Sequence, residues 1–335
     1  MQLELIFNHH TILVRADEGP MLEKLRDEFH YFLGSPVPGT KTLIKLQLGS
    51  LPAIPSMVAS KHLENAVIYR LGHRQYIDYF GEALTVWDRQ SQTMEIYALQ
   101  LDRLYELAFL AVHSILGEQL DLQGYCRLHA LGISRKKVNA LIMLPSKGGK
   151  STLLQSLIEH PEVKIISDDT PLVTASGAVW PFPSKISLER PPQGGSLKNL
   201  TWHEFKRHHY PPKWTASLSG LKEKISADCA TNKTLLVAGY RLSSGKSFYL
   251  KVSKWKMPGP LFEHMIIGMG LPQILEIFLS FDWGDYLKMI KHAYYRSLCA
   301  FQLLRKAECY ELYLGPDLEH NSNLVLDMIH EHQDS

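Results

Sequence analysis

"LIMLPSKGGKSTLLQSL", residues 141–157, joins an apolar strand to an apolar helix through a loop with two consecutive glycines. A phosphate-binding loop has this arrangement, with the pattern Gly-x-x-x-x-Gly-Lys-[Ser/Thr] between a strand and a helix. Here Leu144 occupies the position of the first glycine, and Pro145 removes a backbone donor at the loop entrance. The stretch therefore predicts either a nucleotide site with an altered entrance or a plain strand–turn–helix connection.

The context of the loop favours the nucleotide site. A helix N-terminus exposes unpaired N–H groups and the positive end of the helix dipole, so phosphate oxygens bind there. The two glycines permit backbone angles that other residues avoid, and we expect the N–H groups of residues 147–150 to be available as donors. In the motif the lysine reaches the β- and γ-phosphates, and the following hydroxyl ligates magnesium. The expected nucleotide-binding residues are Ser146, Lys147, Gly148, Gly149, Lys150, Ser151 and Thr152.

A second copy of the tripeptide, Gly245-Lys246-Ser247, illustrates how weak a bare Gly-Lys-Ser is as a signal. One strand-like segment, 235–242, precedes it, and another, 247–254, overlaps its last residue and follows it. We expect this copy to be a hairpin turn without a role in phosphate binding.

Two adjacent aspartates, Asp168 and Asp169, follow the apolar strand at 163–167, one short helix after the loop. P-loop folds hold magnesium on a carboxylate at the end of a buried strand. One aspartate is therefore expected to face the metal, and the other to accept a proton from a substrate hydroxyl. A turn or helix cap is the alternative, because Asp-Asp-Thr-Pro suits either structure.

Composition limits the class of protein. With 335 residues, 45% of them hydrophobic and 21% charged, the chain is expected to be globular with more than one core. Lys plus Arg (36) nearly equals Asp plus Glu (34), which argues against nucleic acid or an anionic membrane as a partner. Four widely spaced cysteines and an N-terminus without a signal-peptide pattern predict a cytoplasmic protein.

The pattern of strands and helices predicts two domains and a tail. Residues 1–120 read as strands, beginning with a hairpin and closing with a helix at 101–120, and are expected to form a smaller α+β domain. Residues 121–318 show the strand–loop–helix–strand alternation of an α/β domain. Residues 319–335 are interpreted as a C-terminal tail.

Two stretches outside the motifs also carry expectations. The apolar run at 265–281 is interpreted as a core helix, since it is too short and too polar to cross a bilayer. Residues 191–232 are rich in Pro, Gly, Ser and Lys, and we expect them to be a mobile segment that closes over an acceptor.

His129, in RLHALG, then LIMLPSKGGKSTLL, IISDD and VWPFPSKISL together resemble the catalytic domain of HPr kinase/phosphorylase. They are more similar still to the HPr-kinase-related kinases associated with peptide-modification pathways. The resemblance is specific over about 127–190, loose to about 315, and limited to the general layout before that. It implies an α/β P-loop kinase core of the HPr kinase/phosphoenolpyruvate-carboxykinase-like type. The sequence departs from that pattern in two ways: Leu144 stands in place of the first loop glycine, and the glycine-rich segment that accompanies phosphorolysis in HPr kinase/phosphorylase is missing. Reverse phosphorolysis, HPr as the substrate and the hexameric assembly of that family are therefore not carried over.

The resemblance also implies roles for individual residues. Asp168 would ligate magnesium with Ser151, and Asp169 would be the general base. Lys185 lies where relatives place an arginine or lysine near the phosphates, and His129 matches a histidine near the active site; on the sequence alone, a lone histidine in an apolar stretch is more often a core residue. The expected catalytic residues are Lys150, Asp168, Asp169 and His129.

These observations predict an ATP-dependent kinase that uses Mg²⁺ and transfers the γ-phosphate to a hydroxyl, with Ser or Thr of a peptide or protein as the first choice. A kinase for a small-molecule hydroxyl or carboxylate is one alternative. A nucleotide-dependent binding module without phosphoryl transfer is another, and Leu144 and Pro145 favour it. The expected partners are ATP and the acceptor, and homo-oligomerisation is left open.

Overall fold

A computed structural model of the protein describes residues 1–17, 19–35, 38–145, 147–208, 210–227, 229–277 and 283–333. The chain forms two compact units with several mixed sheets, as expected for an α/β protein. Each unit is built from more than one stretch of sequence. The first contains Met1–Gln119, His203–Trp214 and Pro272–Ile290; the second contains Leu120–Trp202, Thr215–Leu271 and Lys291–Ser335.

The first unit is built on an eight-stranded sheet with the strand order β1-β2-β3-β8-β7-β6-β5-β4. Its pairs are antiparallel except β2/β3 and β3/β8, and β1 and β2 form the predicted hairpin, with Phe7 opposite His10. The strands are β1 (Gln2–Phe7), β2 (His10–Ala16), β3 (Thr40–Leu48), β4 (Lys61–His62), β5 (Val67–Leu71), β6 (Arg74–Asp78), β7 (Ala83–Asp88) and β8 (Thr93–Ala98).

Helix α1 (Gly19–Glu28) packs against β1 and β2. The predicted helix at 101–120 is confirmed as α2 (Leu101–Leu122). Its buried face repeats at helical spacing, with Leu104, Leu107 and Ala111 nearly inaccessible to solvent.

The second unit is built on a six-stranded sheet with the order β12-β10-β11-β18-β20-β19. A three-stranded sheet, β14-β13-β9, accompanies it. The strands of this unit are β9 (Tyr125–Arg127), β10 (Leu131–Arg135), β11 (Val138–Met143), β12 (Val163–Ser167), β13 (Leu172–Thr174), β14 (Val179–Trp180), β15 (Lys185–Leu188), β18 (Lys233–Arg241), β19 (Phe248–Lys251) and β20 (Glu308–Leu314). Strands β16 (Trp202–Phe205) and β17 (Lys213–Ser217) overlap the first unit's stretch His203–Trp214 and belong to a small sheet of order β15-β17-β16.

The remaining helices are α3 (Lys150–Leu157), α4 (Pro258–Leu261), α5 (Trp283–Lys306) and α6 (Leu318–His330), with a π-helical turn at Phe262–Ile267. Helices α3 and α6 pack against each other, with α3 also against β10 and α6 against β11 and β19. A second set of buried residues, Leu141, Met143, Leu236, Ala238 and Cys309, packs with Leu261, Met265, Cys299 and Leu303 from α4, the π-helical turn and α5.

The directions of three strands place the predicted site residues of the second unit at one edge of its six-stranded sheet. Strand β10 is antiparallel to both β11 and β12, so those two strands run the same way. The loop after β11 and the aspartates after β12 therefore leave the sheet at the same edge. Because β10 runs the opposite way, it begins at that edge, two residues after His129.

Two sequence-based expectations about local structure are wrong. The Gly245-Lys246-Ser247 turn is not a hairpin, because β20 lies between β18 and β19. The described part of the apolar run, 265–277, does not form one helix: the π-helical turn ends at Ile267, and Gly268 and Gly270 adopt positive φ angles that break a helix. The stretch interpreted as a C-terminal tail, 319–335, includes most of α6.

The stretch 191–232, expected to be a mobile segment, contains regular structure. It forms β16, β17 and two 3₁₀ turns, Ser196–Asn199 and Leu218–Lys224. Leu197 and Leu218 are fully buried, which ties both turns into packed structure. Ser196, near the start of the stretch, donates to Glu159 through its backbone N–H and its hydroxyl.

Among the helices of the described residues, none combines the length and the apolar composition that crossing a bilayer requires.

Candidate functional site

The loop after β11 adopts left-handed backbone conformations at two positions. Lys147 has φ 62°, and Gly149, the residue before α3, has φ 96°. A Cβ at Gly149 would meet no atom within 4 Å, so the backbone angle rather than space selects glycine there. Left-handed residues in such loops turn successive N–H groups toward one side, which is the geometry of an anion-binding nest. Ser146, a predicted nucleotide-binding residue, lies outside the described residues.

One predicted backbone donor of the loop is used internally. The N–H of Gly148 donates to the carbonyl oxygen of Pro145 at 2.9 Å and closes a turn. A Cβ at Gly148 would lie 2.8 Å from the same oxygen, so the tight turn requires a glycine. The expectation that all four N–H groups at 147–150 are available is therefore wrong for Gly148.

The side chain of Leu144 points away from the loop and into the core. Leu144 is fully buried, and its Cδ2 lies 2.5 Å from where a Cβ on Gly239 would be. Gly239 is on β18, the parallel neighbour of β11. Gly239, on the adjacent strand, thus leaves the space that the Leu144 side chain occupies.

Lys150, the first residue of α3, is nearly buried and surrounded by acceptors. Its Nζ lies 2.9 Å from the Leu144 carbonyl oxygen, 2.9 Å from His129 Nε2 and 3.6 Å from Asp169 Oδ1. The ammonium therefore sits at the base of the loop, beside one member of the acidic pair. The structure brings together three of the four predicted catalytic residues around this nitrogen.

The fourth, Asp168, lies against Ser151. The Ser151 hydroxyl donates to Asp168 Oδ2 at 3.2 Å, and the backbone N–H of Ser187 donates to the same oxygen at 3.1 Å. Asp168 is 5% exposed, whereas the side chain of Asp169 is 45% exposed. The two adjacent carboxylates therefore differ: one is buried beside a hydroxyl, and the other is open to an incoming molecule.

Two further predicted residues lie on elements that border the site. Lys185, 8% exposed, is on β15, the strand whose Ser187 contacts Asp168. Thr152, in the first turn of α3, lines a cavity of about 270 Å³ with Gln155, Glu159 and other residues.

The oxygen atoms of Ser151 and Asp168 fit a magnesium site. Mg²⁺ prefers hard oxygen ligands and is usually held by one or two carboxylates together with substrate phosphates and water. A hydroxyl and a carboxylate oxygen 3.2 Å apart, at the start of α3, match that donor set. Within the part of the chain that the structure describes, no group of three or more His, Cys, Asp or Glu residues is arranged to hold a metal ion.

Sequence reasoning missed His264. This residue lies in the π-helical turn, and its Nδ1 is 3.2 Å from His129 Nδ1. Burial, and then the neighbouring His129 and Lys150, lower the pKa of His264 to about 4, so its imidazole is neutral at pH 7. The only sequence signal was a histidine inside the apolar run LFEHMII, far from every motif.

The sequence matches no protein-family model and no curated protein. The residues around the loop and their geometry are therefore the basis for the proposed function.

Proposed function

We propose that the protein is an ATP-dependent kinase of the HPr-kinase-related type, which transfers the γ-phosphate of ATP to the hydroxyl of a Ser or Thr in a peptide or protein. The observation that carries the proposal is the convergence of Lys150, Ser151, Asp168 and Asp169 at one sheet edge, at the start of α3. A loop that only connects a strand to a helix does not require a lysine, a hydroxyl and two carboxylates to lie together.

The loop and Lys150 are the proposed binding site for the phosphates. The N-terminus of α3 and the left-handed residues before it favour an anion. Lys150 Nζ, now held by the Leu144 carbonyl and His129, is close enough to the loop to turn toward a bound phosphate. A lysine ammonium is a compact charge on a flexible stem, which suits that movement.

Ser151 and Asp168 are the proposed magnesium ligands, and the ion would neutralise charge on the β- and γ-phosphates. Asp168 is held by Ser151 and by the Ser187 N–H, so its oxygen is oriented before any ligand arrives. Lys185, on the same strand as Ser187, is the proposed second cation near the phosphates.

Asp169 is the proposed general base. Its half-exposed carboxylate can meet an acceptor hydroxyl, and Lys150 lies beside it. Transfer breaks the bond between the γ-phosphorus and the bridging oxygen, which leaves with ADP, forms a bond from the hydroxyl oxygen to the γ-phosphorus, and leaves the hydroxyl proton on Asp169. A hydroxyl acceptor is favoured over a carboxylate, because an ionised carboxylate needs no base.

Leu144 and Pro145 favour the binding-module alternative. The Leu144 side chain packs in the core against Gly239, so this residue is compatible with the kinase proposal. Domain roles remain part of the proposal: residues 121–318 would form the P-loop kinase core, and residues 1–120 would bind the acceptor or a partner protein.

The test has a binding arm and a transfer arm. Binding of the non-hydrolysable analogue AMP-PNP is measured by calorimetry with and without Mg²⁺, and Mg²⁺-dependent binding is expected. Transfer is measured with γ-³²P-ATP on an array of Ser- and Thr-containing peptides, each paired with its Ala-substituted copy. Label on the hydroxyl peptides alone supports the proposal. Binding without transfer to any peptide or small hydroxyl acceptor would make the protein a binding module, and no AMP-PNP binding would remove both readings.

A further inference from the structure

His129 is held between His264 and Gly270. Its Nδ1 faces His264 Nδ1 at 3.2 Å, and its backbone N–H donates to the His264 carbonyl oxygen at 2.9 Å. On the other side, a Cβ on Gly270 would lie 2.2 Å from His129 Cε1, so the backbone of Gly270 is in close contact with the ring. The ring therefore has little room to rotate, and what can still vary is the nitrogen that carries the proton.

The contacts of His129 Nε2 cannot all be hydrogen bonds in one tautomer. A neutral imidazole has one N–H donor and one acceptor nitrogen. Lys150 Nζ, 2.9 Å away, only donates, and Asp169 Oδ1, 3.1 Å away, only accepts while it is ionised. If Nε2 keeps its lone pair it accepts from Lys150; if it carries the proton it donates to Asp169 and turns an N–H toward the ammonium.

The surroundings of Lys150 favour the lone pair on Nε2. An ammonium only donates, and the acceptors near this one include the Leu144 carbonyl oxygen, His129 Nε2 and Asp169 Oδ1. All three contacts are attractive only if the proton of His129 is on Nδ1. That proton must then be donated to His264 Nδ1, which has to be an acceptor.

We propose that His264 is a positioning residue: it accepts the Nδ1–H of His129, fixes that tautomer, and so keeps on His129 Nε2 the lone pair that holds Lys150 at the base of the loop. A histidine that is neutral at pH 7 can accept in this way, and burial keeps His264 neutral. The π-helical turn that carries it is a rare conformation, frequently found at functional sites.

The consequence for the kinase rests on the function proposed above. Without His264, His129 is expected to move its proton to Nε2 and donate to Asp169. The N–H would then face Lys150 and displace it, and Asp169 would be tied to His129. Partners that orient metal-ligating histidines are typically worth about 10- to 100-fold in affinity or activity, and we expect an effect of similar size here.

The test reads the tautomer directly. The full-length protein is labelled with ¹⁵N-histidine, and long-range ¹H–¹⁵N spectra report which ring nitrogen of each histidine carries the proton. The His129 signals are assigned by their loss in His129→Gln. The wild-type protein, without nucleotide, is expected to have His129 protonated on Nδ1. In His264→Leu, which has no acceptor, the population with the proton on Nε2 should rise; in His264→Asn, whose carboxamide oxygen can accept, the wild-type tautomer should return.

His9→Leu, at an exposed histidine, serves as the control and should leave the His129 signals unchanged. The proposal is overturned if His129 carries its proton on Nε2 in the wild type, or if His264→Leu leaves the tautomer unchanged. A second measurement, the dissociation constant of Mg²⁺–AMP-PNP, should rise about 10-fold or more in His264→Leu and recover in His264→Asn. Because the tautomer is measured on the protein without nucleotide, the proposal about His264 is tested independently of nucleotide binding.

Discussion

Leu144 and Gly239 are complementary across two parallel strands: a Cβ on Gly239 would lie 2.5 Å from Leu144 Cδ2 and 2.8 Å from its Cγ. The leucine replaces a loop glycine of the P-loop pattern, and the glycine on β18 makes room for it. The leucine at the loop entrance therefore serves core packing, because its side chain fills space that Gly239 leaves free.

We expect this pair to be energetically coupled. Leu144→Ala should destabilise the protein by about 2–5 kcal/mol through the cavity it leaves. Gly239→Ala should cost about 1–3 kcal/mol, because its methyl group would overlap the leucine side chain. In the double variant the methyl group occupies part of the cavity, so the combined loss should be smaller than the sum. Urea unfolding of the four proteins measures this coupling, and strict additivity would show that the two side chains do not share the space.

The two Gly-Lys-Ser sequences supply a matched pair of lysines. Lys150→Ala should abolish detectable AMP-PNP binding and lower any phosphoryl transfer by about 10²- to 10³-fold, because it removes the cation at the base of the loop. Lys246→Ala should change neither quantity, since Lys246 is exposed. Calorimetry and the ³²P transfer assay measure both effects. An essential Lys246 would show that the phosphate site lies elsewhere.

Substitutions of the two adjacent aspartates are expected to impair different steps. Asp168→Asn should weaken the Mg²⁺ dependence of AMP-PNP binding, because it removes the carboxylate charge beside Ser151. Asp169→Asn should leave that binding largely intact and lower transfer by about 10²- to 10⁴-fold, as the loss of a general base does. Titrations with Mg²⁺ and single-turnover transfer rates separate the two effects. Wild-type behaviour in both variants would make the acidic pair structural.

His10 makes the stability of the first unit depend on pH. Burial lowers its pKa from 6.5 to about 4, and the side chain is fully enclosed on β2, in contact with Thr40 and Thr42. Between pH 6.5 and 4 the unfolded chain binds a proton that the folded protein does not. This contribution to stability is therefore complete above about pH 6.5 and falls as the pH drops toward 4, by about 3 kcal/mol in total.

The measurement compares unfolding free energies of wild type and His10→Gln at pH 7.5 and pH 4. The difference between the two proteins should change by about 3 kcal/mol, because glutamine does not titrate. His9→Gln, at the exposed neighbouring histidine, is the control, and its difference from wild type should be the same at both pH values. A constant difference for His10→Gln would mean that His10 is not held neutral by the fold.

Deletion of about 195–228 would not be a clean test of whether this stretch closes over an acceptor. Leu197, Leu218 and Ala216 in that stretch are buried, so its removal would expose core surface and destabilise the protein whether or not the stretch contacts an acceptor. Point substitutions at exposed positions such as Glu204 or Tyr210 are better suited, since they keep the packing.

The local parts of this protein could be predicted from the sequence. Apolar periodicity located α2, the short polar turn around Asn8-His9-His10 between two strand-like segments located the first hairpin, and the order of apolar strand, double glycine and Lys150 located the loop and the start of α3. These features depend on backbone angles and on neighbours within a few residues, which a linear pattern contains. The positions of Asp168 and Asp169 also followed, because a carboxylate directly after a buried strand must lie at the edge of the sheet.

The tertiary structure alone decided which distant residues meet. Gly239 lies opposite Leu144 because β18 is the parallel neighbour of β11, and no local pattern states which strands are neighbours. His264 reaches His129 through a π-helical turn that overlaps the start of 265–281, which the sequence suggested was a core helix. Residues 191–232 look like a loop by composition, yet β16 and β17 within them form a sheet with β15, and Leu197 and Leu218 are buried. Hydrogen bonds and burial between segments far apart in sequence outweighed local preference at each of these places.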